Sequence, residues 1–181
     1  MGRIAALLLI LAAAFSAPIP SAQAQRALSE QDVKATFLYR FASFVTWPSD
    51  AFPNPQERMR ICIVGADPFG ALITRAAADQ SAQGRTFEVD RLTDPAAARR
   101  CHIVYAVGNL AEETLHAVHG LPVLTVTDAS SGGGVRGIIH FVVVDDRVRF
   151  HVDEARAAES NLAISSRLLS VAVSVRRRTN S

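Results

Sequence analysis

The sequence predicts an α/β fold: a single-domain mixed β-sheet flanked by helices on both faces. Three observations carry that expectation. Short, nearly continuous apolar runs at residues 60–65, 102–107 and 122–127 alternate with segments of helical period, and uninterrupted apolar strands are the kind buried on both faces of a sheet. The 181 residues suit one domain of ordinary size, and no Pro/Gly/Ser-rich linker divides them. Hydrophobic residues make up 49% of the chain and charged residues 20%, which excludes disorder and implies a real core.

The chain opens on a segment that reads as an address. Arg3 gives a positive start, residues 4–15 form an uninterrupted apolar run, and Ala22-Gln23-Ala24 offers small residues at a cleavage site. Twelve residues of helix span about 18 Å, short of a bilayer core of roughly 30 Å. Residues 1–24 are therefore expected to be a cleaved signal peptide, and 25–181 the mature, exported α/β domain. Export places both cysteines in an oxidising compartment.

Ser29 is expected to cap a helix near Glu30, with Asp32 completing a variant capping box. Val33, Phe37, Leu38, Phe41, Phe44 and Val45 recur at spacings of three and four, a helical stripe. Trp47-Pro48 ends it, since the residue before proline avoids helical dihedrals. Residues 60–65 are a strand, and Asp67-Pro68 looks like the cap and first turn of a helix through about Ala78. Residues 86–92 and 102–107 are strands, 112–119 a helix closed by Gly120, and 122–127 a strand. Residues 137–144 and 147–152 make a hairpin about Asp145-Asp146. Two helical pieces, at 153–159 and 164–175, close the chain.

Composition and motifs then exclude function classes. Nineteen basic against seventeen acidic residues, a net charge of +2, is too balanced for a protein that binds nucleic acid by phosphate neutralisation. Two cysteines are too few for a cysteine scaffold or a four-cysteine zinc site. The five histidines lack the HExxH pattern; His116 and His119 share a helix face without an obvious third ligand. The Ser130-Ser131-Gly132-Gly133-Gly134 loop lacks the P-loop order, and neither G-x-S-x-G nor S-x-x-K occurs. No nucleophile–base pair emerges, so neither an enzyme nor a cofactor or metal site is expected. Cys62 and Cys101 lie on strands that are neighbours in a βαβα sheet; a bridge and two buried thiols are the alternatives. Asp67-Pro68-Phe69-Gly70 sits at a strand-to-helix crevice where a small ligand could bind, or is a plain cap and turn.

Several blocks together resemble one family. VKATFLYRFASFVTWP is similar to the opening helix of the YfiR-like periplasmic proteins, ICIVGADPFG to the next strand and turn, and CHIVYAV and LPVLTVTD to the two strands that follow. GGGVRGIIHFVVVDDRVRFHVDEARAAESNLAISSRLLSVA is similar to the family's closing block. The likeness runs from Val33 to Ala172. It implies a periplasmic repressor that binds the periplasmic sensor domain of an inner-membrane diguanylate cyclase, lowering cyclic di-GMP synthesis and biofilm formation. It also implies a homodimer, while the balanced charge argues against a nucleic-acid partner and the lack of a long apolar stretch after residue 24 against direct membrane insertion. The expected contact surface is the turn after Val152, with Glu154, Ser160 and Leu162. Departures are visible: the family's GGMINF is here Arg136-Gly137-Ile138-Ile139-His140-Phe141, its AGL is Ser160-Asn161-Leu162, and a second cysteine pair found in some relatives is missing.

Overall fold

An eight-stranded sheet forms the middle layer of the computed structural model, which describes residues 28–132 and 134–178. The expected signal peptide lies outside the described residues. The strands are β1 (Val45–Thr46), β2 (Met59–Val64), β3 (Ser81–Ala82), β4 (Arg85–Leu92), β5 (Ile103–Ala106), β6 (Leu124–Asp128), β7 (Ile139–Val144), β8 (Arg147–Asp153), β9 (Ala163–Ile164) and β10 (Ser174–Arg176). The helices are α1 (Glu30–Phe41), α2 (Ala71–Ala77), α3 (Ala111–Ala117), α4 (Glu154–Glu159) and α5 (Ser166–Val171). The large sheet has the order β10-β8-β7-β6-β5-β2-β4-β3, and β1 and β9 pair separately. Its centre is parallel; the β7–β8 and β3–β4 pairs are antiparallel, so the sheet is mixed, as the sequence predicts.

Strand alternation divides the core in two. Met59, Ile61 and Ile63 of β2, with Ile103 and Tyr105 of β5 and Leu124 and Val126 of β6, face the layer that holds α1 and α2. Cys62, Val64, Val104 and Ala106 face the opposite layer, with Ala98 of the short helix Pro95–Arg100 and Ala111 of α3. Both sides of the central strands are dry, which explains their continuous apolar sequence. Burying each large aliphatic side chain stabilises the fold by about 1.5–3 kcal/mol. Tight backbone packing adds a constraint at Gly65, whose φ is +95°. A Cβ there would lie 2.3 Å from the Val107 carbonyl oxygen, so only glycine lets β2 and β5 exit side by side.

The Ser29 capping box forms as expected: the Ser29 hydroxyl accepts from the Asp32 N–H, and the Asp32 carboxylate accepts from the Ser29 N–H. Asp145 and Asp146, at φ +49° and +56°, make the two-residue hairpin turn between β7 and β8. Three expectations need correction. The first helix ends at Phe41 and tightens into a 3-10 turn over Ala42–Phe44. The second begins at Ala71, four residues after Asp67, because the Asp67 carboxylate accepts from the N–H groups of Phe69 and Gly70 and makes a turn of its own. The last helical piece, expected over 164–175, is instead the tail of β9, then α5, then β10. Ser165 restarts a helix by accepting from the Arg167 N–H. Beyond it, Val173 and Val175 are spaced by two, a strand period, and β10 adds in parallel to β8.

Candidate partner-binding face

An apolar groove grows from the way α1 meets the sheet. The stripe of α1 puts Phe41 against Phe141 of β7 and Phe150 of β8, with ring centroids 5.8 and 5.3 Å apart. Phe37, one turn earlier, touches the same two rings at 6.1 and 5.6 Å but stays half-buried. α5 then lays Leu168 into the core and leaves Val171 56% exposed, with Val173 beyond it at 49%. Phe37, Phe41, Phe44, Phe150, Leu168 and Val171 thus line a groove of about 340 Å³, completed by Arg40 and Arg167. Phe37 also belongs to a second groove, of about 320 Å³, with Leu28, Val33, Val143 and Val148. Leu28 and Val143 are exposed. An apolar centre with charged side chains at its margin is the anatomy of a protein-contact surface.

Beneath α1 lies a buried ionic cluster. Lys34 shares the helical face of Leu38 and Phe41 and is 3% exposed. Its Nζ donates to Asp128 Oδ2 at 2.5 Å, to Glu30 and, at 3.3 Å, to the Ser130 hydroxyl. Tyr105 donates its hydroxyl to the same Asp128 oxygen at 2.9 Å, while the Ser130 N–H and hydroxyl satisfy Asp128 Oδ1. Burial by itself would raise the Asp128 carboxyl, but the bonds from Lys34 and Ser130 hold it below its ordinary range. Tyr105 is pushed far above its usual range by burial and by the Asp128 charge. Each Asp128 oxygen accepts two bonds and Lys34 Nζ makes three, so the cluster locks α1 to the end of β6.

The residues expected from sequence fall as follows. Cys62 and Cys101 are bridged, with Cα atoms 6.1 Å apart, and the bridge sits in the core beside α3, Cys62 being 0% and Cys101 3% exposed. Ser160 and Leu162 are buried, Leu162 within the main core, because the turn after α4 folds back and the Leu162 N–H donates to the Ala157 carbonyl. They are packing residues of that turn. Glu154, the first residue of α4, is half-exposed, and none of the three lines either apolar groove. Asp67 pairs with Arg91 at 2.8 Å through its second carboxylate oxygen, so its own charge fills the turn where a ligand anion would sit. Trp47 is core, edge-on to Phe52. His116 and His119 are exposed on and just after α3.

A family model described as YfiR/HmsC-like matches residues 31–173, from the start of α1 to the edge of β10. The chain belongs to the YfiR/HmsC-like family. No curated protein matches it. The YfiR/HmsC-like family is a regulatory, non-catalytic and periplasmic one, and a buried disulfide fits export. No helix among the described residues is long and apolar enough to cross a membrane.

Sequence reasoning missed the groove and the ionic cluster. The signal for the cluster was present: Lys34 stands four residues before Leu38 and seven before Phe41, a charge on an apolar stripe. The groove had no such mark, because Phe37 and Phe41 read alike in sequence and only the short α5 decides which of them stays open.

Proposed function

We propose that this YfiR/HmsC-like protein is a periplasmic negative regulator that binds the periplasmic sensor domain of an inner-membrane diguanylate cyclase and represses cyclic di-GMP synthesis and, through it, biofilm formation. The family match over residues 31–173 carries the reading. The apolar groove between α1, β8 and α5 supplies the contact surface, with Val171 and Phe37 inserting into the partner and Arg40 and Arg167 steering at the margin. Glu154 contributes from the first turn of α4, while Ser160 and Leu162 act indirectly by closing the turn after α4. Repression follows if the protein binds the inactive arrangement of the sensor more tightly than the active one; equal binding would shift nothing. The repressor is a homodimer in this reading, so two grooves act on a two-fold sensor.

The test uses the full chain expressed in its own cells. Deletion raises cyclic di-GMP, and the tagged protein retains an inner-membrane cyclase on affinity resin. Unchanged cyclic di-GMP on deletion, together with no cyclase retained, refutes the reading. Light scattering on the purified mature protein checks the dimer.

A further inference from the structure

On the sheet face opposite α1, polar residues stand in register across four strands. Thr127 of β6 opposes His140 of β7, His140 opposes His151 of β8, and His151 opposes Ser174 of β10. The Thr127 hydroxyl lies 2.8 Å from His140 Nδ1, the two imidazoles stack at 6.4 Å, and Ser174 Oγ lies 2.6 Å from His151 Nδ1. A neutral His151 that accepts the Ser174 hydroxyl proton at Nδ1 carries its own hydrogen on Nε2 as a donor. At the end of this row is a cavity of about 120 Å³ lined by Arg136, His151, Asp153, Ser174 and Arg176, room for roughly four waters.

Charge decides what such a cavity takes. Asp153 is shared by two cations, Arg176 at 2.8 Å and Arg156 at 3.7 Å. Arg136 is exposed and has no hydrogen bond or ion pair among the described residues. Arg136 and Arg176 line the cavity against one carboxylate, which Arg156 also pairs from outside it, so the surplus is positive. Arginine forks match the oxygens of a phosphate in pairs, and the His151 Nε2–H, its tautomer fixed by the Ser174 hydroxyl, extends the donor set.

We propose that Arg136, His151, Ser174 and Arg176 form a binding site for a phosphate group, with Asp153 orienting Arg176. Arg136 is the primary charge contact, because its guanidinium is the one not already committed. The site is separate from the apolar groove, since its side chains rise from the other face of β8 and β10. The group is carried either by a free phosphate or by a phospholipid headgroup at the membrane surface where a partner cyclase would stand.

Purified mature protein is titrated calorimetrically with inorganic phosphate, and separately mixed with phosphatidylglycerol vesicles, using phosphatidylcholine vesicles as the neutral control. Saturable binding in the first arm assigns a free phosphate, and sedimentation with phosphatidylglycerol alone assigns a headgroup. Arg136→Ala and Ser174→Ala are surface changes that keep the fold, checked by an unchanged thermal midpoint. Arg136→Ala lowers the affinity at least tenfold and Ser174→Ala severalfold. Binding in neither arm, or binding that survives both substitutions, overturns the site.

Discussion

Lys34 and Asp128 show what one buried pair does to a small α/β domain. Their side chains are 4% and 2% exposed, so removing one charge leaves the other desolvated and alone. Lys34→Met is expected to destabilise the protein by about 3–5 kcal/mol at pH 7, read by urea denaturation. The pH dependence carries a sign. With Lys34 in place, the Asp128 carboxyl is held below the unfolded value of about 3.9. Its contribution is full above that value and is lost as pH falls through the folded value. In Lys34→Met the hydrogen bonds from the lysine are gone and burial, the largest influence, pushes the carboxyl up. Folding then takes up a proton, and the deficit shrinks as the pH is lowered from 7 toward 4. An unfolding series across that range that runs parallel for the two proteins refutes the assignment. His102 is a second residue whose form is set by its bonds: Nδ1 accepts from the Arg60 N–H at 2.9 Å, so Nε2 carries the hydrogen toward the Ala51 carbonyl at 3.2 Å. Burial, opposed by that carbonyl, keeps the ring's proton affinity below the ordinary histidine value, and the Phe52 ring stacked on it at 4.3 Å holds the loop before β2.

Among the elements, β2 and the approach to β5 are tied twice, by pairing and by the Cys62–Cys101 bridge. The bridge spans 39 residues of sequence, and the chain-entropy account assigns such a loop about 4 kcal/mol. A Cys62→Ala, Cys101→Ala double variant is expected to lose about that much stability in urea at unchanged secondary structure by circular dichroism. A loss under 1 kcal/mol means that the strand pairing alone holds the loop. Legibility in the sequence also differs by element. β2, β5 and β6 were readable because burial on both faces leaves no polar position, and the 145–146 turn because two short polar residues separate two alternating runs. Residues 164–176 were not. Their pattern suits a helix by hydropathy, and the strand spacing of Val173 and Val175 shows only once β8 offers an unpaired edge. The same holds for the expected contact residues: Glu154 opens α4 and is half-exposed, but Ser160 and Leu162 are small or apolar residues whose burial depends on how the turn after α4 closes.

For the whole molecule, the decisive feature is asymmetry. One face of the β7–β8–β10 end is apolar and meets α1 and α5; the other is basic and carries the histidine row. A regulator that grips a membrane receptor through the apolar side is expected to lose that grip with Val171→Asp, a change at an exposed position that leaves the thermal midpoint within a few degrees of the parent. The variant then fails to retain the cyclase and fails to lower cyclic di-GMP when returned to a deletion strain. A Val171→Asp protein that represses fully moves the contact surface away from the groove.

The depth of the disulfide also bears on how such a regulator can sense its surroundings. Thiol–disulfide exchange requires a thiolate to line up with one sulfur, and both cysteines here are shielded from solvent. Reductant in the periplasm therefore reaches the bond only during an opening of the layer formed by α3 and the Pro95–Arg100 turn. Cleavage by dithiothreitol should accelerate when mild urea loosens that layer, well below the global transition. A bond so placed reports the conditions under which the chain folded, and it holds that report against later changes in redox poise.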